Sequence, residues 1–198
     1  MAKDQNNAEK YLSQKRSSFT DILFGVLLGI GVFMFMLLRG GGYYGLIVIL
    51  LSTVGLIWTK ALKIKDDEYE EILRLIIRDA DILPASEERL ALYDIGKGKV
   101  AIGKDQKPRS AYWVMTDFDF KGDSCHITSH EIDIVNEKVE TKAYTVSIPC
   151  EISVEEKEIS VPTGKKRIAY VSLDGGKISF PVDPTSVDTD SIISRLKK

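Results

Sequence analysis

Two long apolar runs near the start of the chain differ from everything that follows them. Residues 22–38 and residues 43–59 each hold seventeen positions without a formal charge. At 1.5 Å per residue, each run forms a helix of about 26 Å, close to the thickness of the hydrocarbon core of a bilayer. Because only residues 39–42 separate the runs, we predict an antiparallel hairpin of two transmembrane helices over residues 22–59.

Basic residues flank this hairpin mainly on one side. The turn carries only Arg39, whereas seven cations precede the first run or follow the second: Lys3, Lys10, Lys15, Arg16, Lys60, Lys63 and Lys65. The positive-inside rule places the more basic side in the cytoplasm. We therefore expect a multi-pass protein of the cell membrane, with an N-terminal tail (residues 1–21) and a C-terminal domain that are both cytoplasmic.

Gly25 and Gly29 form a pair of small residues four positions apart inside the first run, with Gly31 close by, and Gly41 and Gly45 repeat the spacing at the turn. Small residues at this spacing let two helix backbones approach closely where lipid provides no hydrophobic drive for association. Two interpretations follow. These glycines either pack the two spans of one chain together or form the seam of a homo-oligomer.

The hydrophobic period changes after the hairpin. Residues 60–82 are predicted as an amphipathic helical connector, because apolar side chains recur at helical spacing from Tyr69 to Ala80. From residue 83 onward, short apolar and β-branched runs alternate with polar positions, which predicts a β-rich domain over residues 83–198. The step Asp174-Gly175-Gly176 indicates a hairpin, and a terminal helix is expected from Asp190. The predicted strands are 89–95, 99–103, 112–118, 126–135, 142–147, 158–161, 167–173 and 177–182.

Composition limits the partners of the domain. The net charge is −2, which gives no reason to expect nucleic acid as a partner. The two cysteines, Cys125 and Cys150, both lie in the β-rich part. A domain of this size buries a core without a disulfide, so we interpret both as reduced thiols facing the cytosol.

The order of elements resembles the small bacterial pleckstrin-homology-like (PH-like) and GRAM-like domains. The similar stretches are Leu83-Pro84 with Glu87-Glu88, Gly122 with His126-Ile127-Thr128 and residues 131–134, and residues 168–180 with 190–196. The resemblance implies a bent antiparallel sheet or a small barrel, closed by a C-terminal helix. It also implies binding of lipid headgroups or proteins rather than catalysis. Ile134 stands near the place where the family usually has an aromatic residue.

A basic segment is the candidate binding site. Five cations within thirteen residues are opposed only by Asp105, and we predict them as ligand-binding residues: Lys97, Lys99, Lys104, Lys107 and Arg109. In a domain tethered close to a bilayer, each contributes about 1 kcal/mol to attraction toward anionic headgroups. The alternative is a solvated loop without a ligand.

Other constellations do not support chemistry. Gly98 to Lys104 matches a phosphate-binding loop, but Asp105 stands where a hydroxyl residue is required, and no helix is predicted to follow. His126 and His130 lie about 13 Å apart on a strand, too far for one zinc ion. Asp117 and Asp119 have the spacing of a pair that holds a divalent ion, but a turn at the end of a strand is the commoner explanation. We find no nucleophile–base–acid set and expect neither an enzyme nor a cofactor.

Two functions remain open from the sequence. The first is a membrane-anchored, non-catalytic module whose cytoplasmic PH-like domain recognises anionic lipid headgroups or a partner protein. The second is a signal-gated two-span membrane effector of the anti-phage type, in which a cytoplasmic β-barrel binds a cyclic nucleotide and the spans assemble. Only the layout of the chain resembles the second class.

Overall fold

The computed structural model describes residues 2–14, 19–37, 42–61, 63–82 and 88–198. The chain divides into two compact units: Gln14–Ile64 form one, and Met1–Ser13 with Lys65–Lys198 form the other. Several residues used in the sequence analysis lie outside the described part, namely Lys15, Arg16, Arg39, Gly40, Gly41, Leu83, Pro84 and Glu87.

The first unit contains two apolar helices, α2 (Phe19–Leu37) and α3 (Gly42–Ala61). Among the described residues, one helical stretch, which begins at Tyr43, is long and apolar enough to cross a membrane, judged by length and composition, and Asp21–Leu37 is a shorter apolar helix. Only 12% of the most apolar window in the longer stretch is buried, whereas the core helix of a soluble protein is mostly buried. The structure thus confirms one helix compatible with a membrane, and the second span stays a prediction.

Glycines at the α2–α3 contact let the two helices pack as an antiparallel pair. A Cβ added to Gly45 would lie 2.6 Å from the backbone nitrogen of Phe35 and 2.8 Å from the carbonyl oxygen of Gly31. Gly55 packs in the same way against the ring of Phe24 near the other end of α2. A side chain at position 45 would therefore have to push two backbones apart.

The pair Gly25 and Gly29 does not take part in this contact. A Cβ at either position would meet no heavy atom within 4 Å, and both residues are exposed in the described structure. Packing within the chain therefore depends on Gly31, Gly45 and Gly55. The predicted packing between the two apolar helices of one chain is thus confirmed at Gly31 and Gly45 and is wrong for Gly25 and Gly29, for which the homo-oligomeric seam stays a prediction.

Two helices on either side of the apolar pair in the sequence belong to the second unit. Helix α1 (Ala2–Ser13) buries Ala8, Tyr11 and Leu12, although the sequence analysis treats the N-terminus as a tail. Helix α4 (Asp66–Asp79) begins with three acidic residues, which stabilise the positive end of the helix dipole. Its apolar face is buried as predicted, at Tyr69, Ile72, Leu73 and Ile76.

The rest of the second unit is a mainly-β domain, as predicted. A four-stranded antiparallel sheet has the order β1-β4-β5-β6, a three-stranded one has the order β7-β8-β9, and β2 pairs with β3 as a separate ribbon. Each predicted strand overlaps an observed one, and β3 was not predicted. The strands are β1 (Arg89–Tyr93), β2 (Val100–Ile102), β3 (Pro108–Ser110), β4 (Tyr112–Lys121), β5 (Ser124–Asp133), β6 (Lys138–Ser147), β7 (Ile152–Val161), β8 (Gly164–Leu173) and β9 (Ile178–Val182).

The main core lies between the two larger sheets and is closed by α5 (Val187–Leu196). Phe118 on β4 meets Phe180 on β9 edge to face, with ring centroids 5.5 Å apart. Helix α5 buries Ile192 and Leu196 in the same core, and the guanidinium carbon of its Arg195 lies 3.8 Å from the centroid of the Phe120 ring. Two packed sheets with a terminal helix therefore account for the β-rich half of the chain.

The close approach at Gly45 makes a prediction about the helix pair. We expect Gly45→Ala to destabilise the α2–α3 contact by on the order of 1–3 kcal/mol, because overpacking against backbone cannot be relieved by a rotamer change. The apparent melting temperature of the full chain in detergent micelles should fall. Gly25→Ala adds the same methyl group in open space and is the matched control, expected to leave the melting temperature unchanged or slightly raised.

Candidate functional site

The predicted basic segment forms the ribbon β2–β3, the loop that joins its strands, and the turn that precedes it. Ala101 pairs with Arg109 across the ribbon, and the loop comprises residues 103–107. The N–H of Gly103 donates to the carbonyl oxygen of Lys107 at 3.0 Å, which closes the loop. A Cβ at Gly103 would overlap the guanidinium of Arg109, so a side chain at this position would have to displace that group.

Arg109 is an anchor inside the domain rather than an exposed ligand-binding group. Its side chain is 8% exposed. Its Nε donates to Oε1 of Glu70 at 2.8 Å, and its two Nη atoms donate to the carboxylate of Asp105 at 2.9 and 3.2 Å. The second oxygen of Glu70 accepts a hydrogen bond from the Tyr93 hydroxyl at 3.1 Å. Arg109 thus ties the ribbon to helix α4.

The charges in this cluster shift the pKa values of both partners toward the ionised forms. The hydrogen bond from Arg109 is the main cause that lowers the pKa of Asp105 from 3.8 to about 2. Burial alone would lower the pKa of Arg109, but its hydrogen bonds to Asp105 and Glu70 raise it above its ordinary value. The guanidinium and the Asp105 carboxylate therefore stay charged at neutral pH.

Lys97 and Lys99 are also paired with carboxylates. The Nζ of Lys97 lies 3.0 Å from Oε2 of Glu131 on β5, and the Nζ of Lys99 lies 3.6 Å from Oε1 of Glu9 on α1. A second lysine also pairs with Glu131, because the Nζ of Lys142 lies 2.8 Å from its Oε1. These partners are far away in the sequence, so the fold compensates positive charge that the basic segment carries.

Lys104 and Lys107 place exposed positive charge at the loop itself. The backbone N–H of Lys104 donates to Oδ2 of Asp66, in the first turn of α4, at 2.7 Å. The backbone N–H of Lys107 donates to Oδ1 of Asp105 at 3.1 Å. The structure thus brings the five predicted residues together on the ribbon, its loop and the turn that precedes it. Lys104 and Lys107 are exposed at the loop.

A stack of aromatic rings beside the ribbon was not anticipated from the sequence. Tyr11 of α1 stacks on Tyr69 of α4 with ring centroids 4.3 Å apart, and Tyr93 on β1 meets Trp113 on β4 edge to face at 4.5 Å. The Tyr11 hydroxyl donates to Oδ1 of Asp66 at 3.0 Å. Burial and the bond to Asp66 raise the pKa of Tyr11, so this hydroxyl remains a donor at neutral pH.

The histidines and the aspartate pair that suggested a metal site are engaged with neighbouring strands. His126 and His130 lie with Nδ1 2.8 and 2.9 Å from the hydroxyl oxygens of Thr145 and Thr141. Arg89 binds the carboxylate of Asp117 through two donors at 2.5 and 2.7 Å. Among the residues that the structure describes, no group of three or more His, Cys, Asp or Glu side chains is placed to hold a metal ion.

The two cysteines are free thiols: Cys125 is buried in the main core, and Cys150 is half-buried and packs against that core. Burial is the leading cause that raises the pKa of Cys125 to about 11 and also raises that of Cys150. Neither thiol is therefore activated as a nucleophile.

The stretch from Gly98 to Lys104, which matches the pattern of a phosphate-binding loop, contains strand β2 and leads into the loop of the ribbon.

Comparison with known proteins adds no relative. No protein-family model matches the sequence, and neither a curated protein nor a solved structure gives a significant match.

Substitution of Arg109 tests how much its bonds to Glu70 and Asp105 stabilise the domain. We expect Arg109→Met to lower the free energy of unfolding of the full chain by about 2 kcal/mol, because it leaves Glu70 and Asp105 without their shared cation. The value is below the usual 3–5 kcal/mol for a fully buried pair, because both carboxylates are about one-third exposed. Lys107→Met, which removes an exposed charge from the same ribbon, is the control and should change stability by less than about 0.5 kcal/mol. Urea denaturation followed by tryptophan fluorescence measures both.

The pH dependence of the same variants gives an independent readout. The pKa of Asp105 is lowered in the fold, so its stabilising effect is present above pH 3.8 and is lost as the pH falls toward about 2. We expect this acid-sensitive part of the stability to shrink in Arg109→Met and to persist in Lys107→Met. Equal acid sensitivity of the two variants would contradict the role of Arg109 in holding the ribbon to α4.

Proposed function

We propose that this protein is a membrane-anchored, non-catalytic binding module whose cytoplasmic domain recognises anionic lipid headgroups through the loop of the β2–β3 ribbon. The observation that carries the proposal is the exposed pair Lys104 and Lys107 on a loop bonded to Asp66, the first residue of α4. Asp66 follows Ala61, the end of α3, by five residues. An extended chain of that length spans about 17 Å at most.

The proposal that α2 and α3 anchor the protein in a membrane is supported by the exposed apolar surface of this helix pair. Large side chains such as Phe33, Met36, Leu51 and Trp58 are between 63% and 78% exposed, which is costly in water and favourable in lipid. In this proposal both α2 and α3 cross the bilayer. The cations flanking them then place both ends of the chain in the cytoplasm.

The PH-like assignment is supported by the order of the strands. A four-stranded antiparallel sheet is followed along the chain by a three-stranded one and then by a helix that closes the core. The sequence resemblance implies a bent antiparallel sheet or a small barrel closed by a C-terminal helix, and the antiparallel sheets and the terminal helix agree with that expectation. The β2–β3 ribbon is an insertion between the first two strands of the four-stranded sheet, and it carries the proposed binding loop.

The lysines of the loop give the direct test of headgroup recognition. Dihexanoyl phosphatidylglycerol, titrated calorimetrically into the full chain in uncharged detergent, should bind more tightly than dihexanoyl phosphatidylcholine. Two basic side chains near an anionic group contribute roughly 2 kcal/mol, so we expect the double variant Lys104→Gln, Lys107→Gln to lose about 30-fold in affinity for the anionic lipid. The effect should weaken with added salt.

The matched control removes two lysines elsewhere on the domain. Lys121 and Lys177 are 63% and 74% exposed, and Lys121→Gln, Lys177→Gln should bind the anionic lipid as the wild type does. Recognition of lipid fails if the two lipids bind equally or if the loop variant is unaffected. A partner protein would then be the remaining occupant of the site.

The orientation in the membrane is tested with introduced cysteines. Cys125 is fully buried and Cys150 is half-buried, so neither native thiol reports the side on which the domain lies. Thr163→Cys places an exposed thiol at the β7–β8 turn, and Gly41→Cys places one between the two apolar runs. In intact cells, an impermeant maleimide should label position 41 and leave position 163 unlabelled until lysis. The reverse pattern would invert the protein and remove the proposed function.

One observation favours the second candidate, the signal-gated membrane effector. Gly25 and Gly29 point away from α3, so they are placed for contact with another helix. In that proposal they form the seam between copies of the chain, and the β-domain binds a cyclic nucleotide. The signal-gated effector requires several copies of the chain to assemble, whereas the binding module can act as a monomer.

A further inference from the structure

The donors around the basic loop are occupied by carboxylates of the chain itself. Asp66 accepts the backbone N–H of Lys104, and Asp105 accepts the backbone N–H of Lys107. Asp105 and Glu70 share the guanidinium of Arg109. An anionic ligand that approaches the two lysines therefore meets internal anions that already hold the backbone donors of the loop and the guanidinium of Arg109.

Asp66 differs from the other carboxylates because α1 holds it in place. Its Oδ2 caps the Lys104 N–H at 2.7 Å, while its Oδ1 accepts the Tyr11 hydroxyl at 3.0 Å. Tyr11 is 1% exposed and stacked on Tyr69. Glu9, also on α1, pairs with Lys99 on the same ribbon. Docking of α1 thus orients one internal anion and supplies another.

We propose that the loop is autoinhibited, with Asp66 as an internal competitor for the anion and α1 as the element that keeps it in position. In this proposal the phosphate contacts the Lys104 N–H as well as the lysine side chains, and the Asp66 carboxylate already accepts that N–H at 2.7 Å. The two anions compete for one donor and repel each other at such short range, so binding of the headgroup displaces Asp66 and weakens its bond to Tyr11. The inference rests on the proposed function and names how that same site is regulated.

Coupling of this kind is reciprocal. If the bound anion weakens the docking of α1, then the docking of α1 must weaken the binding of the anion by the same factor. Removing the internal competitor should accordingly tighten binding. If Asp66 and Tyr11 had only a structural role, substituting them would instead weaken binding of the anion, because damage to the fold disturbs the site.

The experiment compares two neighbouring carboxylates in the full chain. Asp66→Asn keeps the shape of the side chain but removes its charge, and we expect about tenfold tighter binding of dihexanoyl phosphatidylglycerol, the worth of one hydrogen bond to a charged group. Asp67→Asn changes the same charge one position along the helix, on an exposed side chain, and should change affinity by less than about twofold. Tyr11→Phe removes only the hydroxyl and should shift affinity in the same direction as Asp66→Asn.

Hydrogen exchange supplies a readout of α1 itself. Amides of residues 2–13 should exchange faster in the wild type when the anionic lipid is added, and the phosphatidylcholine control should have no effect. In Asp66→Asn their exchange should be fast without lipid and should not respond to it. Thermal unfolding of each variant verifies that the domain remains folded.

The possible outcomes separate this inference from the proposed function. If the wild type binds through Lys104 and Lys107 while Asp66→Asn binds equally or more weakly, autoinhibition is wrong and headgroup recognition stands. Unchanged exchange of α1 on binding of the anionic lipid would likewise overturn autoinhibition and leave headgroup recognition standing. If neither the wild type nor Asp66→Asn prefers the anionic lipid, both the inference and the proposed function are wrong.

Discussion

The β-rich unit depends on one guanidinium shared between two carboxylates. Arg109 is nearly buried, and three of its N–H donors are bound to Glu70 and Asp105 at 2.8–3.2 Å. Burying a cation is expensive unless its charge and its donors are both satisfied. Here the geometry satisfies both, and it does so with residues from a strand, a loop and a helix. Glycine at position 103 suits the same contact, because a Cβ there would overlap the guanidinium and displace it.

Ion pairs of this kind also reduce the positive charge that the basic segment presents at the surface. Five cations close together in the sequence suggest a positive surface, but Glu9, Glu70 and Glu131 arrive from α1, α4 and β5 to compensate Lys99, Arg109 and Lys97. Charge density along a sequence therefore overstates charge density on a surface. Lys104 and Lys107 are exposed because they lie at the tip of the ribbon, in the loop that joins its strands.

The parts of the fold that could be predicted are those whose pattern is local. The face of α4 and the hairpin at Asp174 follow from the hydrophobic period and from turn chemistry, and both are present in the structure. Helix α1 was missed because its burial involves few side chains in a polar sequence, and Tyr11 gains its role only through Tyr69 and Asp66, more than fifty residues away. Strand β7 was predicted to begin at Glu158 but begins at Ile152, because an edge strand exposed on both faces carries charges without alternation. The location of the candidate site was predictable, whereas the carboxylates that compensate its cations come from distant elements and depend on tertiary contacts.

A tethered domain also changes what counts as a useful affinity. If the proposed function holds, the loop and the headgroups belong to one membrane-bound assembly, and a short tether turns their encounter into an intramolecular event at an effective concentration of the order of millimolar. A fully exposed basic surface would then be occupied on any membrane and could not distinguish one composition from another. Internal carboxylates such as Asp66 would lower the intrinsic affinity to a range in which occupancy follows the fraction of anionic lipid. Compensation of the basic loop, which would weaken the site in solution, would in this setting be the property that lets it respond.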